Sequence, residues 1–340
     1  MPERIDQLFH GSMKPSPASF GHSNDLWMSI ELPPITYVHD LDELHNRRQI
    51  HSRRALAGTE LRIARGAYVE SNPWELLGDR DRYLTTIRAV AATRRHDMPL
   101  SHWSAAAIHG LPILATWPSR VHVTVGKVSG GRSRRGVTKH ALTIPDEDLV
   151  EVDGLLLTSV ARTVLDMAVT AGFLTSIMIA DHALLVDRFG RNAPMIRRED
   201  LWETFARRGN FVGSRRAEDV IHFAETRAES PLESVSRANM RLIGCPSPEL
   251  QVSFSDHEGY IGDGDFYWRN WRIVGEADGR AKYLDAALRN NRPAAEVVIK
   301  EKTREDRIRA LGESVTRWPW EVGVDPMLLK GHLRRAGIPI

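Results

Sequence analysis

Cysteine is nearly absent: Cys245 is the only one in 340 residues. An intrachain disulfide is therefore impossible and a cysteine-rich zinc module is excluded, so any metal must be held by oxygen or histidine ligands. Long apolar runs are missing too. No stretch of about 18 uncharged apolar residues occurs, and the N-terminal residues lack a signal peptide's apolar run, so a cytoplasmic protein with no membrane partner is expected. Nor is there a surplus of one charge, since 46 Lys and Arg face 44 Asp and Glu for a formal net charge of +2. A balance that small does not announce nucleic acid in bulk. The distribution of charge along the chain has to carry any such argument.

What is present fits an ordinary globular chain, 42% hydrophobic and 26% charged, longer than one domain usually runs. Residues 1–36, rich in Ser, Pro and Gly, read as a poorly ordered arm, and Met13 and Met28 leave a later start open. From Leu41 a short helix to Ile50, a second helix capped by Ser52, and a strand, Arg65-Gly66 turn, strand pattern over Leu61–Val69 outline a winged helix spanning 37–72. Arg47, Arg48, Arg53, Arg54, Arg62 and Arg65 cluster there. Guanidinium forks suit phosphate, and a winged helix places its second helix in the major groove of double-stranded DNA. The bland reading is a solvated face that makes only protein contacts.

Residues 73–186 read as an α/β unit: a helix from Trp74 to about Ala92, a helix after Ser101, strands near 121–125, 137–142 and 149–157, and a helix capped by Thr158 or Ser159. Arg132, Arg134 and Arg135 lie in the glycine-bearing tip GGRSRRG, a second DNA contact or simply a soluble turn. His102 and His109 have no acid or cysteine beside them in sequence and read as packing residues, and Arg162 with Asp166, one helical turn apart, as an internal ion pair. Residues 187–225, dense in arginine, read as a basic helical linker ahead of a last domain over 226–340. The fold class expected is α/β, α+β overall.

The segment IGDGDFYWRNWRIVGEAD, Ile261 to Asp278, reads as a β-hairpin. With a two-residue turn at Arg269-Asn270, Trp268 opposes Trp271, Phe266 opposes Ile273 and Asp263 opposes Glu276. One face is then apolar, and the other carries Asp263, Asp265, Glu276 and Asp278. Opposed like charges are costly without a cation, and hard oxygen donors suit Mg²⁺ or Mn²⁺. The alternative is an amphipathic hairpin whose polar side faces water.

Upstream, Ser230-Pro231-Leu232-Glu233 has the form of a capping box, which by itself accounts for Glu233. The order helix, strand (250–255), acidic hairpin, helix (294–311), strand (314–320) resembles the PD-(D/E)XK nuclease core, in particular relatives of the very-short-patch repair endonuclease. The resemblance implies a restriction-endonuclease-like α/β/α domain. In it Asp265 and Glu276 hold Mg²⁺ or Mn²⁺, with Asp263 or Asp278 beside them and Glu233 as the helix glutamate. Where that pattern has Lys this chain has Asp278, and Lys282 or Lys302 would supply the displaced charge. Asp306 and Arg307 read as a solvated helix face.

A second resemblance rests on RGAYV, LSHWSAAAIHGLP, RVHVTV and VDGLLLTSVARTVLDMA. These are similar to AbiEi-type antitoxins, winged-helix proteins of bacterial toxin–antitoxin systems that bind their own operator and partner a nucleotidyltransferase-like toxin. Two functions follow as expectations. One is a Mg²⁺-dependent DNA endonuclease of a defence system. The other is a DNA-binding antitoxin or autorepressor whose nuclease-like domain is inactive and serves binding or homodimerisation. Stacking of RNA bases on Trp268, Trp271, Trp318 and Trp320 is a weaker third expectation.

Overall fold

The computed structural model describes residues 32–38, 47–93, 98–126, 136–188, 190–278 and 294–340, the side chains of 47–48 and 294–298 excepted. Helices and sheets mix along the chain, as an α/β fold requires. The first unit holds β1 (Thr36–Tyr37), α1 (Arg47–Leu56), β2 (Glu60–Ala64) and β3 (Ala67–Glu70), in a sheet of order β1-β3-β2. The β2–β3 hairpin turns at Arg65-Gly66, where Gly66 takes φ 76°, a conformation that a side chain disfavours. Ser52, expected to cap a second helix, lies inside α1. Leu41 and Leu44 fall outside the described residues.

The expected long helix from Trp74 is split into α2 (Ser71–Leu76) and α3 (Asp79–Ala92). After α4 (His102–Ile108), β4 (Val121–Val125) and β5 (Val137–Ala141) pair in parallel. The strand expected over 149–157 is instead a hairpin, β6 (Leu149–Val152) and β7 (Leu155–Thr158). Its turn residues Asp153 and Gly154 both take positive φ, which suits the tight twist of a two-residue connection. Ser159 then caps α5 (Val160–Thr170), its hydroxyl accepting from Arg162 N.

The segment read as a basic linker packs into a helical core. Around α5 and α6 (Phe173–Leu184) are wrapped α7 (Arg198–Arg208) and α8 (Ser214–Phe223), which bury Leu201, Ala217, Val220 and Ile221. Its arginines largely answer protein acceptors. Arg207 reaches Asp148 at 2.7 Å and Arg208 reaches Asp166 at 2.7 Å, joining the buried Arg162–Asp166 pair at 3.2 Å. Arg198 donates to the Ile221 and Ala224 carbonyls. The expected internal ion pair of Arg162 and Asp166 is thus the centre of a larger buried network.

The last unit begins with α9 (Pro231–Leu242), followed by β8 (Glu249–Asp256), β9 (Gly259–Trp268), β10 (Ile273–Asp278), α10 (Ala294–Ala310), β11 (Ser314–Pro319), α11 (Trp320–Gly323) and α12 (Pro326–Ala336). The sheet order is β11-β10-β9-β8, with β8, β9 and β10 an antiparallel meander and β11 parallel to β10. On one face Phe266, Trp268, Ile273, Ala277 and Trp318 pack against Leu232 and Met240 of α9 and Leu329 and Leu333 of α12. On the other, Ile308 of α10 is buried against Phe254, Tyr267 and Val274. Helix, sheet and helix therefore form three layers.

The hairpin register differs from the expected one. Trp268 pairs with Ile273, Tyr267 with Val274 and Phe266 with Gly275. An Arg-Asn two-residue turn would need positive φ at two non-glycine residues. The chain uses a longer loop instead, a 3₁₀ turn over Arg269–Trp271 followed by left-handed Arg272 at φ 51°. The displacement is an even number of residues, so each side chain keeps its face. Trp271 loses its expected cross-strand partner and is 38% exposed, whereas Trp268 is buried.

Candidate functional site

The acidic face of the hairpin is built as a meshwork of carboxylates and guanidinium groups. Just past the last β9–β10 pair, the Asp265 carboxylate accepts from Ala277 N at 2.8 Å, in the manner of a wedge between the strands. Glu276 lies beside it on β10, is buried, and aligns with Arg317 of parallel β11. Arg317 meets its Oε2 at 2.9 Å, and Arg304 of α10 binds its Oε1. Glu301, one turn before Arg304, shares both arginines, at 2.7 Å to Arg304 and in close contact with Arg317. Burial pushes the Glu276 carboxyl above its usual range and the Asp265 charge adds to that, while the two arginines pull the other way. Burial also acts to raise Glu301, but the same arginines outweigh it and its carboxyl lies low.

Asp263 sits in a second part of the meshwork. Ser253 donates to it at 2.5 Å, Tyr260 donates to it, and Arg188 closes an ion pair with it. Arg188 arrives from the segment after α6 and also meets Glu229 at 3.0 Å. Burial works to raise Asp263, yet these partners together hold its carboxyl below the usual range. Glu233 completes its cap, with Ser230 Oγ donating to Oε1 at 2.6 Å and Glu229 N to Oε2 at 3.0 Å. Its Oε2 also accepts from Gln251 Nε2 at 2.9 Å. Gln251 holds a left-handed backbone, φ 51°, which costs about 1–2 kcal/mol for a residue with a Cβ.

Four of the expected acids, Asp263, Asp265, Glu276 and Asp278, therefore lie along the facing strands β9 and β10, and Glu233 joins them through Gln251. Asp278 is half-buried at the end of β10, opposite Pro319. Lys282 lies outside the described residues, and Lys302 is exposed on α10. The donor set does not fit a divalent cation as arranged. Both Glu276 oxygens are taken by arginine, Asp263 is engaged by Ser253, Tyr260 and Arg188, and among the described residues no group of three or more acids, histidines or cysteines is placed to hold a metal ion. The compensating cation expected for the acidic face is a guanidinium pair.

Sequence pattern did not reveal Arg304, Arg317, Glu301, Gln251 or Arg188. Glu301 and Arg304 have a readable spacing of one turn, but which strand lies beside β10, and hence that Arg317 meets Glu276, is a tertiary fact. Arg307, read as part of a solvated face, instead donates to Asp256 at 2.8 Å and ties α10 to the end of β8. Trp318 is fully buried and not presented for base stacking, while Trp320 is half-buried against the same core.

At the other end of the chain, Arg53, Arg54, Arg62 and Arg65 are exposed on α1 and the β2–β3 hairpin. Arg54 meets Glu60 at 3.1 Å but is still 58% exposed. Arg47 and Arg48 begin α1. Arg132, Arg134 and Arg135 lie outside the described residues. The histidines of the middle unit form a cluster that sequence spacing did not reveal: His102 stacks on His140 with centroids 3.5 Å apart, and His122 Nδ1 and His140 Nε2 share a hydrogen bond of 2.9 Å. His109 bonds the Thr158 carbonyl oxygen at 2.8 Å, a packing role as expected. Among the described residues no helix is long and apolar enough to cross a membrane.

No family model matches the chain. It is 30% identical over 99 residues to uncharacterized protein Rv2248 of Mycobacterium tuberculosis strain H37Rv, covering 29% of this chain and 33% of that protein. The same figures hold for uncharacterized protein MT2308 of Mycobacterium tuberculosis strain CDC 1551. The chain thus spans about a third of the length of the curated relatives it matches.

Proposed function

We propose that the protein binds double-stranded DNA through α1 and the β2–β3 hairpin and carries a nuclease-like C-terminal domain that does not turn over in this arrangement. The antitoxin or autorepressor reading is the one this geometry supports best. The observation that carries it is the row of exposed arginines, Arg53, Arg54, Arg62 and Arg65, on one helix and the adjoining hairpin. Guanidinium groups left in solvent on a helix-plus-wing shape suit phosphate contacts on both sides of a groove. The C-terminal acids, in contrast, spend their charge on arginines of the same chain. A homodimer, an operator and a nucleotidyltransferase-like toxin belong to this reading as partners.

Binding of a labelled duplex, followed by fluorescence anisotropy from low to high salt, tests it. Each phosphate that the protein no longer neutralises should reduce the slope of log affinity against log salt by about 0.9. Arg53→Glu with Arg54→Glu should therefore weaken binding and flatten that slope by about 2. An unchanged slope removes α1 from the interface.

The second reading, a Mg²⁺- or Mn²⁺-dependent DNA endonuclease, is favoured by one specific observation. The order α9, antiparallel meander β8-β9-β10, crossover α10 and parallel β11 resembles that of the nuclease core, and Asp265 lies near enough to Glu276 that its charge adds to the burial that raises the Glu276 carboxyl. The acids as arranged offer no metal shell, so hydrolysis requires that Glu276 first be released from its arginines.

A further inference from the structure

We propose that Arg54 reads a guanine edge in the major groove and that Glu60 is the positioning residue that aims it, so that the exposed arginines divide into one base reader and a set of phosphate contacts. The inference rests on the duplex-binding reading and adds sequence specificity to it. Three observations carry it. Among the described residues, Arg54 is the one of the four exposed arginines whose guanidinium meets an acid, with Nη1 lying 3.1 Å from Glu60 Oε1. Glu60 is itself fixed, because it is buried at the start of β2 and its other oxygen is bonded to Nδ1 of buried His51 at 2.7 Å. His51 in turn stacks on Tyr68 of β3 with centroids 5.3 Å apart. The backbone end of Arg54 is pinned as well, its carbonyl oxygen accepting from Thr59 N at 3.0 Å and from Thr59 Oγ1 at 3.2 Å.

An arginine held at both ends has given up part of its rotamer freedom before any ligand arrives, so less is lost on binding. That matters more for a base than for the backbone. Phosphate contacts fix where a protein sits on the duplex, whereas O6 and N7 of guanine accept one bidentate arginine in one plane. Glu60 engages Arg54 through Nη1 and leaves the side chain 58% exposed, so donors of the fork remain for a ligand. Charge separates the two roles further. A carboxylate beside the guanidinium repels a phosphate and leaves an uncharged base edge as the better acceptor. Arg53 on the same helix, and Arg62 and Arg65 on the hairpin, pair with no acid among the described residues and suit the backbone.

The test is selection by the full chain from a pool of DNA duplexes with a randomised centre, read by sequencing the bound fraction, with circular dichroism as the fold control. The unaltered chain should enrich a motif holding a fixed guanine. Arg54→Lys keeps the charge but loses the fork, and should lower the preference at that guanine by about tenfold. Glu60→Gln should lower it as well, yet affinity for the unselected pool should not fall, because a negative charge leaves the binding face; a merely structural Glu60 would weaken binding to every sequence. Arg53→Ala should keep the guanine and flatten the salt slope by about 0.9. If Glu60→Gln does not fold, Arg54→Lys, altered at an exposed position, decides. A guanine that persists in Arg54→Lys, or salt-dependent binding by the unaltered chain with no base enriched, overturns the inference and leaves the duplex-binding reading standing. Loss of the guanine in Arg54→Lys but not in folded Glu60→Gln overturns the positioning role. No binding of any duplex by the unaltered chain overturns the inference and the reading together.

Discussion

At the scale of single residues, the packing around Gly275 is the most exacting feature of the C-terminal sheet. A Cβ there would lie 2.8 Å from ring carbons of both Trp268 and Trp318, closer than carbon atoms approach. Both indoles are buried and Trp318 stacks on Phe266 at 5.4 Å, so neither can yield. Gly275→Ala should therefore destabilise the protein by about 1–3 kcal/mol, the usual cost of overpacking, measured by chemical denaturation. Little or no loss would mean that the two indoles repack. The acids of the candidate site were legible as single residues because side chains alternate along strands, and Asp263, Asp265, Glu276 and Asp278 follow that period. Their partners were not. Arg188 and Asp263 are 75 positions apart in the chain, and nothing local to either residue announces the other.

Among the elements, β9 and β10 were placed correctly and paired in the wrong register, because turn chemistry rather than hydrophobic pattern sets hairpin register. The linker expectation failed for a different reason. Arginine density marks a solvated face only when the arginines have no acids to meet, and Asp148 and Asp166 wait for Arg207 and Arg208 from elements outside α7. The histidines of α4, β4 and β5 show the same limit, since parallel pairing of β4 with β5 sets Thr124 beside His140 and brings His122 within reach of it. Burial, with the neighbouring His140 in the case of His122, drives the imidazoles of His122 and His140 down to about 4. Burial, the two histidines, Arg208 and Arg162 hold His102 well below its usual range. The folded protein thus binds fewer protons here than the unfolded chain, whose histidines titrate near about 6.5. The stabilisation is complete above that value and is lost as pH falls toward 4. Thermal midpoints should drop across this window, and His140→Phe should shrink the drop; a flat profile in the unaltered chain would rule the cluster out as its source.

For the molecule as a whole, the α/β class and the order of elements in the last third were readable from periodicity and caps, while the join between parts was not. The C-terminal domain is fastened to the helical core by α6 and α9. Arg237 binds both oxygens of fully buried Asp181 at 2.9 Å, donates to the Phe223 carbonyl at 2.8 Å, and lies over the Phe223 ring. Ala238 belongs to the helical core itself. Arg237→Ala leaves the Asp181 carboxylate buried without its guanidinium partner, which typically costs about 3–5 kcal/mol, whereas replacing both members by apolar residues is often close to neutral. Calorimetry of Arg237→Ala and of Arg237→Met with Asp181→Leu should show the first strongly lowered and the second largely restored; equal losses would assign the cost to packing alone.

That fastening bears on how such a chain can be assembled over evolutionary time. A gene fusion or exchange that breaks between α6 and α9 separates the two halves of one ion pair, so a recipient that covers α9 with another helix must again answer the Arg237 charge with an acid. Residues 181 and 237 should therefore change together, and a recombinant that buries one of them without the other should lose stability that a matching change at its partner position restores.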